Sequence, residues 1–336
     1  MSQRAVVVTG AAGFIGSHVS RALVARGERV VGIDNFDPYY ERALKERNAA
    51  ETRGLADRIG SERRESAKGG SFALVEADIT DARAMDELFA QERVVGVIHL
   101  AAKAGVRPSI ADPVGYAHAN VTGTSVLLEA ARKVGVERMV VASSSSVYGN
   151  NPKTPFSEED AVEHPISPYA ATKRACELIC DTHHYLTKMP TACLRFFTVF
   201  GPGQRPDLAI RLFMQRIARG EAITMFGDGS MSRDFTFIDD IVAGVLAAYD
   251  RIPSFGYRVW NLGHDHPVRL DEMIRTIERV VGKRAAITRA EPSAGDVERT
   301  WADLSRARRE LDYAPGTAFE EGVARQWAWL REAGLA

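Results

Sequence analysis

Ala5-Val6-Val7-Val8-Thr9-Gly10-Ala11-Ala12-Gly13-Phe14-Ile15-Gly16 is an apolar run broken by three evenly spaced glycines, and a helical pattern follows it through Arg26. The stretch reads as strand, glycine turn and helix. A glycine at 10 permits the tight turn, one at 13 lets the backbone N–H groups around Phe14 and Ile15 approach a pyrophosphate, and one at 16 lets the helix pack close to the strand. A second strand, Val30-Val31-Gly32-Ile33-Asp34, ends on a carboxylate eighteen residues after Gly16, and Asn35 follows it. A carboxylate in that position accepts hydrogen bonds from an adenosine ribose diol and repels a 2′-phosphate, so the expected cofactor is NAD and not NADP.

A second stretch carries chemistry. Ser167-Pro168-Tyr169-Ala170-Ala171-Thr172-Lys173 reads as a helix start, with Ser167 as N-cap and Pro168 in the first turn. Tyr169 and Lys173 stand four residues apart, on one face of that helix. An ammonium beside a phenol favours the phenolate, which is expected to lower Tyr169 from ~10 and provide a proton acceptor near neutral pH. Upstream, the strand Met139-Val140-Val141-Ala142 delivers Ser143 to Ser146 to its carboxyl end. Ligands bind at that edge of open parallel sheets. The expected fold class is α/β, a Rossmann-type doubly wound parallel sheet with a smaller C-terminal substrate-binding lobe. The expected division is residues 1–200 for the NAD-binding domain and 201–336 mainly for the substrate-binding lobe, with some chain exchange between them.

Composition narrows the partners. The 336 residues hold 43 Lys and Arg against 44 Asp and Glu, for a net charge of -1. That balance gives no footprint for nucleic acid or an anionic membrane. Cys176, Cys180 and Cys193 are three in number and form no CxxC, so neither a disulfide framework nor a metal site is expected. With no charged leader and no apolar run near twenty residues, a soluble cytoplasmic protein is expected.

Between these stretches the chain alternates. Asp37 to Gly70 includes a run dense in Arg and Glu, read as an exposed helix or two over a mobile loop. Phe72 to Ile79 resumes the sheet, with Asp78 placed to reach an adenine amino group. Val94 to Leu100 forms a buried strand leading into Ala101-Ala102-Lys103, where small residues let backbone lie against the cofactor. Asn120 is a polar residue inside a long helical run, either buried and hydrogen-bonded or exposed. Thr191 to Phe200 reads as a sixth strand that breaks at Gly201-Pro202-Gly203-Gln204-Arg205-Pro206. Helices 208–219, 239–250 and 270–282 then suggest the smaller lobe.

Taken together, Thr9 to Gly16, Asp78-Ile79, His99-Leu100-Ala101-Ala102, Ser143 to Gly149, Tyr169 with Lys173, and Arg233-Asp234-Phe235-Thr236-Phe237-Ile238-Asp239-Asp240 resemble the extended short-chain dehydrogenase/reductase family of nucleotide-sugar enzymes. Within it the chain is similar to the UDP-glucuronate 4-epimerase branch. The likeness rests on Asp34-Asn35, Tyr39-Tyr40, Leu44-Lys45, Ala104-Gly105-Val106-Arg107, the serine run before Val147-Tyr148-Gly149, and Arg195 to Pro202. The resemblance implies that Ser144, Tyr169 and Lys173 are catalytic. It implies that Gly10, Gly13, Phe14, Ile15, Gly16, Asp34, Asn35, Asp78, Ile79, Leu100, Ala101, Ala102, Lys103 and Asn120 meet the cofactor. Arg107 and Arg233 fall to the substrate, Arg233 gripping its diphosphate, with Asp296 as a nucleotide-side acid. Two positions depart from the pattern: Ser293 stands where galactose-type enzymes carry arginine, and Lys103 where glutamine is usual.

The implied reaction is NAD-dependent 4-epimerisation of a UDP-sugar through a 4-keto intermediate. Dehydratases and decarboxylases of this family resemble Thr-Asp-Glu and Thr-Ser-Glu before Val-Tyr-Gly; here Ser144-Ser145-Ser146 offers no carboxylate. Ser145, Ser146 and Thr198, with Arg205 nearby, are expected to hold the glucuronate carboxylate. UDP-glucose or a UDP-N-acetylhexosamine is the alternative substrate, and a non-catalytic NAD-binding regulator the alternative class. A homodimer is expected through helices 115–133 and 169–186, with Val126, Leu127, Leu178 and Ile179 as apolar positions.

Overall fold

Every residue of β1 (Arg4–Thr9) after Arg4 is buried. That continuous burial marks a strand in the middle of a parallel sheet with helices on both faces, where alternation has no solvent side to report. The computed structural model describes residues 4–62, 70–291 and 297–336. After β1 come α1 (Phe14–Ala25), β2 (Arg29–Asp34), α2 (Arg42–Glu62), β3 (Ser71–Glu76), α3 (Ala82–Gln91) and β4 (Arg93–His99). Next are α4 (Val106–Ala111), α5 (Pro113–Tyr116), α6 (Gly123–Val134), β5 (Arg138–Ser144), α7 (Pro168–Thr187) and β6 (Thr191–Phe196). The second half holds β7 (Thr198–Phe200), α8 (Ala209–Arg219), β8 (Ile223–Phe226), β9 (Ser232–Phe237), α9 (Ile238–Arg251) and β10 (Tyr257–Leu262). It closes with β11 (Pro267–Arg269), α10 (Leu270–Val281), β12 (Ile287–Ala290), α11 (Ser305–Leu311) and α12 (Phe319–Glu332).

The central sheet has seven strands in the order β10-β6-β5-β4-β1-β2-β3, parallel throughout. Strand order reverses between β1 and β4, so a crevice opens there at the carboxyl edge, where such sheets bind ligands. β10 comes from the second half of the chain, so the central sheet is not closed by residues before 200 alone. A three-stranded sheet, β11-β9-β7, and a two-stranded pair, β12-β8, form the cap.

Two expectations change on folding. The run Thr191 to Phe200 is two strands, broken where the Phe197 N–H donates to Leu262 O at 3.0 Å and its ring enters a buried cluster with Tyr148 and Phe156. β6 stays in the central sheet while β7 turns into the cap sheet, which carries Thr198 across the crevice. The charged segment after Asp37 forms α2, whose Lys45, Asn48, Ala49, Thr52 and Ala56 are buried. Their helical spacing is a packing stripe hidden by the Arg/Glu-rich composition around it; residues 63–69 lie outside the described residues. Asn120 lies in a π-helical segment, Ala117–Thr122, between α5 and α6.

Two buried polar networks hold the crevice. In the first, Thr9 Oγ1 accepts the Leu100 and Ala101 N–H groups, each at 3.1 Å, so its own proton goes to His99 Nδ1 at 2.7 Å. His99 Nε2 then carries the other proton to Thr124 Oγ1 at 3.1 Å, which donates to Asn120 O at 2.6 Å. Only a neutral imidazole satisfies this chain, and burial, with the Lys173 charge adding to it, pushes His99 down to about 3.

In the second, Glu177 takes Ser143 Oγ at 2.6 Å, Arg195 Nε and Nη2 each at 2.9 Å, and Arg174 Nη1 at 3.0 Å. Arg195 Nη1 donates to Tyr148 OH at 2.9 Å, which donates to Asn261 at 2.7 Å. Three elements, β5, α7 and β6, are tied to one carboxylate.

Acid should loosen this fold. His99 titrates at about 3 and His18 at about 4, His18 through burial and the nearby Arg21 charge. The unfolded chain protonates both below an ordinary value of about 6.5, so stability is complete above that pH and falls as pH drops toward the folded values. Each imidazole contributes a loss of up to about 1.4 kcal/mol per pH unit in that window. Urea midpoints at pH 7 and pH 5 measure it, and equal midpoints would contradict the assignment.

Candidate functional site

The phosphate end of the crevice is built from backbone. Gly10 adopts φ +68°, and a Cβ there would lie 2.9 Å from Ala101 N; a Cβ at Gly16 would lie 2.0 Å from Gly10 O. The glycines thus let β1, α1 and the loop after β4 meet without side chains between them. Gly13 is the N-cap of α1, with no side-chain cap and no acid in the first turn, so the N–H groups of Phe14, Ile15 and Gly16 present the positive helix end to an anion.

The end expected to meet the nucleoside is built from β2 and β3. Asp34, 7% exposed, accepts the Ala12 N–H at 3.1 Å and the Phe36 N–H at 2.8 Å. Each oxygen keeps lone-pair capacity for a ribose hydroxyl. Asn35 Nδ2 donates to Asp78 Oδ2 at 2.8 Å, and the Thr80 N–H and hydroxyl hold Asp78 Oδ1. Ile79 packs against Gly123. Lys45 completes this corner: its ammonium lies 3.9 Å from Asp34 Oδ1 and donates to Asp37 O at 2.9 Å. Burial holds Lys45 below its ordinary value, with Asp34 opposing that shift. An open helix end, a backbone cradle and a buried carboxylate fit a dinucleotide carrying a free ribose diol.

The loop Leu100 to Lys103 is pinned from below. Asn120 Oδ1 accepts the Lys103 N–H at 2.9 Å, and Asn120 Nδ2 donates to Lys103 O and Thr172 Oγ1, each at 3.0 Å. The Asn120 amide therefore holds the loop that lies along the crevice. The Lys103 ammonium pairs with Asp112 at 2.7 Å, which raises the lysine and lowers the acid. This lysine side chain is directed to that pair.

The groups expected to be catalytic converge from two elements. Ser144 ends β5, its hydroxyl accepting the Ser146 N–H and donating to Ser146 Oγ, both at 3.1 Å. Ser167 Oγ caps α7 by accepting the Ala170 N–H at 3.2 Å, with Pro168 opening the helix and Tyr169 next. One turn on, Lys173 is 4% exposed; its Nζ donates to Ala142 O at 2.8 Å and sits 6.0 Å from the Tyr169 ring centroid. The Tyr116 ring stands edge-on to Tyr169, 6.3 Å between centroids.

A cleft of about 550 Å³ opens between the sheet edge and the cap, lined in part by Arg107, Thr198, Arg205, Phe226 and Arg233. A smaller cavity of about 130 Å³ includes Ser145, Ser146, Thr198 and Arg233 and so adjoins it. Arg107 stacks on Phe226 at 4.5 Å, reaching from α4 to β8. Arg205 pairs with Asp207 through two hydrogen bonds of 3.0 and 2.9 Å, and Tyr39 OH donates to the same acid at 3.1 Å. Several cations around one cleft supply locally what a net charge of -1 does not supply globally. Asp296 and Ser293 lie outside the described residues. Among the described residues no cluster of His, Cys, Asp or Glu could hold a metal, and no helix is long and apolar enough to cross a membrane.

Lys45, Tyr39, Asp207 and Glu177 escaped assignment to the site from sequence. Lys45 and Tyr39 stand in the Tyr-Tyr and Leu-Lys pairs that the sequence does display; Glu177 stands one turn beyond Lys173 with no local sign of its partners.

Comparison with known proteins agrees with this geometry. The NAD dependent epimerase/dehydratase family matches residues 6–263. A UDP-glucuronate 4-epimerase of Thermodesulfobacterium geofontis is 39% identical, covering 97% of this chain and 96% of its own. UDP-glucuronate 4-epimerase 4 of Arabidopsis thaliana is 42% identical, over 96% of this chain and 74% of its own. The crystal structure of UDP-glucuronic acid 4-epimerase from Bacillus cereus, in complex with UDP-glucuronic acid and NAD, superposes with a TM-score of 0.86 at 34% identity, covering 98% of this chain and 99% of that one. With the glycine cradle, the buried carboxylate at the end of β2 and the serine, tyrosine and lysine at one sheet edge, the chain belongs to the NAD dependent epimerase/dehydratase family.

Proposed function

We propose that the chain interconverts UDP-glucuronate and UDP-galacturonate at C4, with NAD as its resident cofactor. The observation that carries this reading is the wall of the smaller cavity, where Ser145, Ser146 and Thr198 present hydroxyls beside Arg233, continuous with the cleft that holds Arg205. The acid in that cleft, Asp207, is already engaged by Arg205 and Tyr39. A wall of hydroxyls and cations suits a sugar that brings its own carboxylate. The named activities of the relatives support the same substrate.

Bound NAD supplies the two-electron acceptor and donor for the hydrogen at C4. Tyr169 removes the O4 proton and later returns it, and Ser144 shares the O4 hydrogen bond. Lys173, anchored on Ala142 O and set beside the Tyr169 ring, would hold the nicotinamide ribose of bound NAD. Arg233 and Arg107 hold the diphosphate while the 4-keto sugar turns over within the cleft. That keto sugar is a β-keto acid, and it loses CO2 once its C5–C6 bond aligns with the ketone π system. Ser145, Ser146, Thr198 and Arg205 hold the carboxylate out of that alignment. Charge-assisted hydrogen bonds contribute roughly 1.5–3 kcal/mol each, so two favour glucuronate over glucose by about 10²–10⁴.

The dimer is proposed to form through α7 and the segment around α5 and α6. Leu178 (52%), Tyr185 (72%) and Leu186 (73%) are exposed on α7, and Val114 is 79% exposed on α5. Leu127, expected in that interface, is fully buried within its own protomer beside Leu128 and Met139. The three cysteines are free and buried, which suits a reducing cytosol.

Tyr169→Phe should bind NAD and UDP-glucuronate nearly as wild type does while turnover falls by about 10²–10⁴. Turnover within threefold of wild type would remove Tyr169 from the mechanism. Thr198→Ala and Ser146→Ala should each slow UDP-glucuronate epimerisation and release a UDP-pentose detectable by chromatography. Normal epimerisation without pentose in both variants, or a wild-type preference for UDP-glucose, would overturn the carboxylate site. Light scattering at micromolar concentration should give twice the chain mass, and Leu178→Asp should halve it; a monomeric wild type would refute the dimer.

A further inference from the structure

We infer that Gln326, on the C-terminal helix and away from the cleft lining, is a specificity-positioning residue for the sugar carboxylate. The inference rests on the carboxylate site proposed above and adds what holds it in place. Gln326 is fully buried on α12 and Gln204 is 1% exposed in the loop between β7 and α8. The Gly201 N–H donates to Gln326 Oε1 at 3.0 Å, Gln326 Nε2 donates to Gln204 Oε1 at 2.7 Å, and Gln204 Nε2 donates to Val199 O at 3.0 Å.

The relay has one consistent orientation. A backbone N–H can only donate and a backbone carbonyl can only accept, so Gly201 sets the Gln326 amide and Val199 sets the Gln204 amide. Flipping either amide breaks both of its contacts. The two ends of the relay are not arbitrary places: Val199 follows Thr198 directly, and Gln204 precedes Arg205. The two carboxylate-holding residues outside the serine run are thus attached, one residue away, to a buried relay that ends on α12.

The loop needs such ties because it lacks stiffness of its own. Gly201 at φ +139° and Gly203 at φ +81° turn it twice. Its other anchors also come from outside the cleft wall formed by the serines: His18 Nε2 donates to Pro202 O at 2.9 Å and Arg211 Nη1 to Gln204 O at 2.5 Å. Arg211 in turn lies over the Trp329 ring of α12 at 5.5 Å. With the relay intact, Thr198 and Arg205 keep a fixed separation across the cavity. Without it, the catalytic serine, tyrosine and lysine stay on β5 and α7, and only the carboxylate side of the site loosens.

The test uses holoenzyme carrying Gln326→Met or Gln204→Met, each of which keeps side-chain length and removes the relay from one side. Arg205→Ala runs in parallel. Either methionine variant should lower kcat/KM for UDP-glucuronate about tenfold to hundredfold, mainly through KM, because a shift near 1 Å in a positioning group has effects of that size. The inhibition constant of UDP-glucose and the bound NAD content should stay within threefold of wild type. Loss of glucuronate preference in Arg205→Ala but in neither methionine variant would overturn the inference and leave the carboxylate site standing. Unchanged preference in Arg205→Ala would overturn that arginine's part in the site and the inference with it. Equal weakening of both sugars in the methionine variants would show a merely structural relay and also overturn it.

Discussion

Glu177 is a fully buried carboxylate, and the side of the crevice that carries Ser144 and Lys173 is arranged around it. Burying an isolated charge is prohibitively costly, so its lone pairs are taken up by Ser143, Arg174 and both forks of Arg195. Those partners sit on β5, α7 and β6. The carboxylate consequently sets the rotation of α7 against the sheet. Lys173 lies one turn earlier on that helix, where a rotation of about 20° would carry an atom at the helix surface roughly 2 Å. Its hydrogen bond to Ala142 O would not survive such a shift. Ser144, next to Ser143, is held by the same network from the strand side.

The two halves of the site are built by different means. The cofactor side is a sheet edge: glycines that allow backbone contact, one open helix end, and Thr9, His99 and Asn120 fixing the loop that runs along the crevice. The proposed sugar side is made of loops and a short strand, with Thr198 on β7 and Arg205 in the segment after it. A rigid edge suits the proposed resident cofactor. Loops suit the proposed turning of the keto sugar within the cleft.

Much of the cofactor side was legible in the chain because its determinants are local. Gly10, Gly13 and Gly16 lie within seven residues, Asp34 ends the next strand, and Tyr169 and Lys173 are one helical turn apart, so spacing alone places each on its element. Leu127 shows the limit of that reading. A helix pattern marks it as apolar, but the face turned to the protomer's own core and the face left for a second copy look alike until α3 and the sheet are packed against it.

Sequence by itself determined the parallel sheet, the dinucleotide edge and the tyrosine–lysine pair, since each depends on residues within about thirty positions of one another and on backbone geometry that glycine, proline and periodicity encode directly. Tertiary structure alone decided the split of Thr191 to Phe200 at Phe197, the partners of Glu177, the pairing of Lys103 with Asp112, and the joining of Gln326 to Gln204 across more than a hundred residues. Those contacts depend on which buried polar groups find each other once the sheet has closed. A buried donor or acceptor must be satisfied by whatever the fold brings within reach, and local spacing carries no record of that partner.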